Sequence, residues 1–146
     1  MAIPRIGDSQ GRYAMRVAEM IGKHPHVEGH LNEALSKAIE ELLSCAQVCT
    51  SCADACLGED NVADMRQCIR LNLDCADICA AAGSVATRRT GSNEEVIQSM
   101  LRAAISSTER CGSMCEEHAS MMDHCRICAE SCRAAREACE RALVTI

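Results

Sequence analysis

Thirteen cysteines recur at helical spacing on one face of four predicted helices, and this phasing restricts the fold more than any other feature. On the first of these helices Cys45, Cys49, Cys52 and Cys56 are spaced 4, 3 and 4 apart. That is the rhythm of a buried a/d seam and not of a loop wrapped around one ion. Upstream, Leu31, Leu35, Ala38 and Leu42 hold the same register. A leucine core therefore becomes a thiol core halfway along a single helix.

The punctuation between the cysteine runs defines the elements. Residues 8–23 predict a short leading helix with a weak apolar stripe of Tyr13, Val17, Met20 and Ile21. Beyond the His24-Pro25-His26 break, the first bundle helix is expected over 26–57, with Gly58 as its C′ residue. Asn61 caps the second, over 62–86, and Ser92-Asn93-Glu94-Glu95 reads as a capping box opening the third, over 93–118. A weaker start at Ser120-Met121-Met122-Asp123 opens the fourth, over 121–144. Short connections make neighbours antiparallel, so the expected fold is all-α. It is an up-down-up-down four-helix bundle over 26–144 with an extra N-terminal helix, in one domain of 1–146.

Every cysteine falls on a seam of this bundle. The second helix carries Met65, Cys68, Asn72, Cys75, Cys79, Ala82 and Ala86, and the third Ile97, Leu101, Ala104, Thr108, Cys111, Cys115 and His118. The fourth carries Met121, Cys125, Cys128, Cys132, Ala135, Cys139 and Ala142. Folding the hairpins brings Cys56, Cys68, Cys115 and Cys125 to the end that holds the first and third interhelical turns. At about 1.5 Å per residue the column from Cys45 to Cys56 is roughly 16 Å long. It should open toward those turns, with Met65, His118 and Met121 around the mouth. Met122 and His124 stand half a step out of phase as further entry residues. Asn72 reads as a polar register-setter, and His24, His26 and His30 as a solvated turn at the opposite end.

The rest of the composition narrows the function. With no Phe or Trp and one Tyr, the core must be built from aliphatic residues, eight Met and the cysteines. A net charge of −6 argues against nucleic acid as a partner. No segment reaches the roughly 18 apolar residues of a membrane span. The opening residues show neither an apolar export segment nor a twin arginine, so the chain is expected in the cytoplasm, where thiols stay reduced. No nucleophile–base pair or phosphate-cradling loop is present, and the chain does not read as an enzyme.

Thiols on one seam admit several chemistries. Cysteine can serve as a small hydrophobe, but alanine or valine would pack as well without the oxidation hazard. Helical i,i+4 neighbours stand about 5–6 Å apart at Cβ, too far for a disulfide, which wants roughly 3.5–4.5 Å. Cys45-x3-Cys49-x2-Cys52 matches an iron–sulfur cluster spacing, although such clusters are held by loops. Cys49-x2-Cys52 and Cys125-x2-Cys128 could pair as a four-thiolate zinc site. Several such dianionic sites in one core would be costly. Cu(I) is soft, accepts two or three sulfurs, and balances one thiolate per ion. If each thiolate bridges two ions, capacity approaches one Cu(I) per cysteine, about 13 per chain. The expected ligands are all thirteen cysteines (Cys45, Cys49, Cys52, Cys56, Cys68, Cys75, Cys79, Cys111, Cys115, Cys125, Cys128, Cys132 and Cys139) with His118 and Met121.

In its Cys45-x3-Cys49, Cys52-x3-Cys56, Cys75-x3-Cys79, Cys111-x3-Cys115 and Cys128-x3-Cys132 pairs the chain resembles the cytosolic copper storage proteins. The likeness spans about residues 26–144. It implies many Cu(I) inside a helical bundle, His and Met near one end, and assembly as a homotetramer. A separate copper donor or acceptor, which the sequence does not identify, is also expected. An iron–sulfur or zinc protein is the alternative. A copper-responsive regulator or chaperone fits less well, because neither a basic DNA-binding face nor a shallow exposed site is offered.

Overall fold

A computed structural model describes residues 16–146 and shows the expected helical bundle. The stretch over 16–22 is helical; residues 8–15 of the predicted leading helix, Tyr13 among them, lie outside the described residues. The bundle consists of α1 (Glu33–Leu57), α2 (Arg66–Thr87), α3 (Glu94–His118) and α4 (Asp123–Leu143), with a 3₁₀ turn over Val62–Met65 leading into α2. Each helix packs on two neighbours, in the closed order α1, α2, α3, α4 and back to α1.

The first bundle helix begins later than its sequence pattern implies. Residues 23–30 form successive turns instead, with Val27 N–H donating to the His24 carbonyl and His30 N–H to that of Val27. Gly29 then adopts φ +79°, which a glycine takes without a Cβ penalty and which breaks any helix. Asn32 starts α1 by accepting the Leu35 N–H at 2.9 Å through its side chain. At the other end Gly58 stops α1 in right-handed geometry, φ −83°, so it is not the left-handed C′ residue expected of it. Asn61 occupies its expected cap position without a side-chain cap bond, and α3 is capped at Asn93, one residue after the Ser92 that a capping box requires, also without one. Ser92-Asn93-Glu94-Glu95 therefore marks the start of α3 without closing a capping box.

Leu35, Ile39, Leu42, Ile97 and Leu101 are buried with Ala82, Ala86, Ala104, Ala135 and Ala142 in the half away from the α1–α2 and α3–α4 turns. Ile21 and Val27 join that core from the preceding segment. Fully burying each large aliphatic side chain contributes about 1.5–3 kcal/mol. The other half of the interior is sulfur. Small residues let the helices close in: a Cβ added at Gly83 would stand 2.9 Å from Leu43 Cδ2, and one at Gly112 would stand 3.2 Å from Cys132 Cβ. The α1–α2 pair thus approaches closely beside Leu42 and Leu43, and the α3–α4 pair beside the thiol of Cys132.

Candidate metal centre

All thirteen cysteines are buried and free. The seam spacing rotates each sulfur inward, and the antiparallel pairing stacks the four seams in register. Cys45, Cys49, Cys75 and Cys132 converge with their sulfurs within 4.8 Å of one another. Cys49 and Cys132 also belong to a second group with Cys111 and Cys128. Cys128 passes to a third with Cys52 and Cys115, and Cys52 to a fourth with Cys56, Cys125 and His124. Cys125 finally joins Cys68 and His118. Neighbouring groups share a sulfur, and a shared sulfur is the geometry a bridging thiolate requires.

Individual separations agree with metal sharing. Cys45 and Cys49 stand 3.7 Å apart, Cys49 and Cys128 3.7 Å, Cys75 and Cys79 3.8 Å, and Cys45 and Cys132 3.9 Å. With a metal–sulfur bond of about 2.3 Å, two sulfurs on one ion lie about 3.8 Å apart at a tetrahedral centre and about 4.0 Å at a trigonal one. A disulfide, at about 2.05 Å, is far shorter. Only Cys79 and Cys139 fall outside the groups. Cys79 still touches Cys75, whereas Cys139 is buried on α4 with Ala135, Ala138 and Ala142 of the same helix.

Burial and mutual hydrogen bonding set the thiol acidities. Burial pushes Cys125 and Cys139 up to about 12 and also raises Cys56. A proton shared between two sulfurs can serve only one of them. Cys45 is held down to about 5 by hydrogen bonding with Cys132 and then Cys49. Cys132 is pushed up by its bonds with Cys111, Cys128 and Cys45. A soft cation that replaces these protons relieves both the burial penalty and the competition.

Polar residues of the column divide into two kinds. Thr108 Oγ1 donates to the Ala104 carbonyl at 2.8 Å and is turned back on its own helix. Asn72 is fully buried among the sulfurs: its Oδ1 accepts from Cys128 at 3.0 Å and Cys111 at 3.4 Å, and its Nδ2 donates to the Cys68 carbonyl at 2.8 Å. It holds a register position, as expected, and also organises the thiols around it.

The mouth differs from its expected form. His118 is in place, grouped with Cys68 and Cys125, and its Nδ1 is buried without a hydrogen-bond partner. An orphaned nitrogen beside two thiols suits a soft metal ion. Met65 is fully buried. Met121, however, lies in the turn before α4 and is 72% exposed, while Met122 is 8% exposed. The helical phase cannot be extended back to Met121 because α4 begins only at Asp123. His124, half a step off by sequence phase, reaches Cys52 at 3.5 Å and Cys125 at 3.6 Å through Nδ1. Its Nε2 meets Glu59 at 3.0 Å. Sequence reasoning passed over Glu59, which reaches His124 only because two turns distant in sequence stand side by side. At the opposite end His24 contacts Thr90 at 3.1 Å and Gly91 N–H donates to His26 at 3.2 Å, so those rings tie turns together.

Comparison with known proteins places this geometry. The family described as copper storage proteins matches residues 31–144. The chain is similar to the copper storage protein Ccsp from Streptomyces lividans loaded with 10 copper equivalents: 44% identity, TM-score 0.85, covering 89% of this chain and 99% of that one. A structure of copper loading to that cytosolic copper storage protein, with five coppers, is 47% identical at TM-score 0.76, covering 78% and 95% of the two chains. A histidine-to-alanine variant of Ccsp is 48% identical at TM-score 0.75, covering 77% and 93%. No curated protein matches the chain. Among the described residues, no helix is long and apolar enough to cross a membrane.

Proposed function

The chain belongs to the copper storage protein family, and from that premise we propose that it sequesters many Cu(I) ions in the cytosol through the thiolates of its bundle core. The observation that carries this is the run of sulfur groups joined by shared members, from Cys45, Cys49, Cys75 and Cys132 to the mouth at His118 and His124. One thiolate per monocation leaves the filled core neutral, so successive ions enter a low-dielectric interior without accumulating charge. Capacity approaches one Cu(I) per cysteine. All thirteen cysteines and His118 serve as ligands, with Met65, Met122 and His124 at the entry and exposed Met121 as an outer contact for arriving copper.

The protein acts as a store and not as a catalyst, in a single domain over 1–146, and assembles as a homotetramer. A separate carrier delivers and withdraws the metal. Anaerobic Cu(I) titration of the reduced protein against a competing chelator tests the reading. Tight saturation near one ion per cysteine supports storage, and saturation at one to three ions sinks it. The Ccsp structures loaded with five and 10 coppers favour many ions over a single zinc or iron–sulfur site.

A further inference from the structure

We propose that Glu59 is a positioning residue for copper at the mouth: its carboxylate fixes the His124 ring so that Nδ1 stands as a nitrogen ligand beside Cys52 and Cys125. The inference rests on the storage reading above. A carboxylate oxygen accepts, so the 3.0 Å contact with Glu59 Oε1 requires His124 Nε2 to carry the proton. In a neutral ring the lone pair then belongs to Nδ1, and Nδ1 is the atom that faces the two thiols at 3.5 and 3.6 Å. Copper that displaces a thiol proton there finds nitrogen and sulfur donors already aligned. The arrangement is that of a metal-bound histidine oriented by a carboxylate on its far nitrogen.

The placement of Glu59 makes it a fixed support. Its backbone N–H donates to the Cys56 carbonyl at 3.3 Å, so the last turn of α1 anchors it. His124 is the second residue of α4, and the contact joins the α1–α2 turn to the start of α4 across the mouth. Both side chains are partly screened, His124 being 25% and Glu59 37% exposed. The acidic neighbour Glu116 pairs with Arg133 at 2.8 Å and serves as a control for simple loss of charge at this end.

The test uses the reduced full chain, with Cu(I) supplied anaerobically as its acetonitrile complex. In uniformly ¹⁵N-labelled protein, copper is expected to shift the His124 Nδ1 resonance and leave Nε2 bearing its proton. Glu59→Ala should speed the first phase of copper release to excess chelator about 10-fold, the lower end for losing such a support at a half-exposed site. Glu59→Gln, whose amide oxygen still accepts from Nε2, should restore most of the slow release, and Glu116→Ala should leave it unaltered. In a His124→Ala background Glu59→Ala should add nothing. A shift at Nε2, wild-type release from Glu59→Ala, or a Glu59→Ala effect that persists without His124 would each overturn the proposal. The storage reading is judged separately by the total copper that wild-type protein binds. A low total with the Nδ1 shift intact condemns that reading alone.

Discussion

Asn72 Oδ1 accepts a hydrogen bond from Cys128 Sγ at 3.0 Å in the middle of the sulfur column, on the position where α2 could have carried one more thiol. The amide is fully buried, and its Nδ2 holds the Cys68 carbonyl at 2.8 Å. It thus fastens α2 to α4 before any metal arrives. Removing it leaves a void and deprives Cys111 and Cys128 of their oxygen acceptor. Asn72→Ala should destabilise the reduced apoprotein by about 1–3 kcal/mol. Chemical denaturation checks this, and an unchanged midpoint would mean the thiols repack without the amide.

Sharing of sulfurs predicts unequal costs for cysteine removal. Cys49 belongs to two of the sulfur groups, and Cys139 to none. Cys49→Ala should therefore lower copper capacity by about two ions, and Cys139→Ala by about one at most, on the rule that a bridging thiolate serves two ions. Metal counting on the saturated variants decides it. Equal losses would show that position in the column does not matter.

The acidity of the buried thiols gives the apoprotein an alkaline limit. Cys125 and Cys139 titrate at about 12 in the folded chain against an ordinary 9.0, chiefly through burial. A raised folded pKa on an acid means that the native state keeps the proton longer than the unfolded chain does. The stabilisation is complete below about 9 and is lost as pH rises from about 9 toward about 12. Thermal midpoints of the reduced apoprotein should fall across that window. Copper binding should run the other way and weaken in acid, because each ion displaces about one thiol proton.

The bundle was legible because its information lies in one repeated phase. Leu35 to Cys56 on α1 and Cys125 to Ala142 on α4 keep the inward spacing without interruption, and the structure buries those seam residues. Legibility failed where the phase ended. Met121 follows the α4 period on paper, yet it precedes the helix and is exposed. His124 is out of phase but reaches the thiols because the first turn of α4 stands beside Cys52. Glu59 was invisible for a further reason: its partner is 65 positions away, and only the juxtaposition of two turns brings them together. Gly58 and Asn93 are familiar terminal residue types, but their neighbours' geometry, not their identity, fixes the bonds they make.

The division of the interior into an aliphatic half and a sulfur half separates stability from capacity. Leu42 is fully buried on α1, one helical turn below Cys45, and packs beside Gly83 of α2. Leu42→Ala should cost the reduced apoprotein about 2–5 kcal/mol, the range for an aliphatic side chain cut back in a closed core. Its thiols remain, so copper should still bind. Binding to the folded state alone adds stability, about 4 kcal/mol for one site when free copper exceeds the dissociation constant roughly a thousandfold. Copper should therefore return the variant's unfolding midpoint to or above that of the wild-type apoprotein, with the copper count preserved. Denaturant unfolding with and without copper, beside metal counting, reads both quantities. A Leu42→Ala chain that loses as much copper as Cys49→Ala would show that the two halves are not separable.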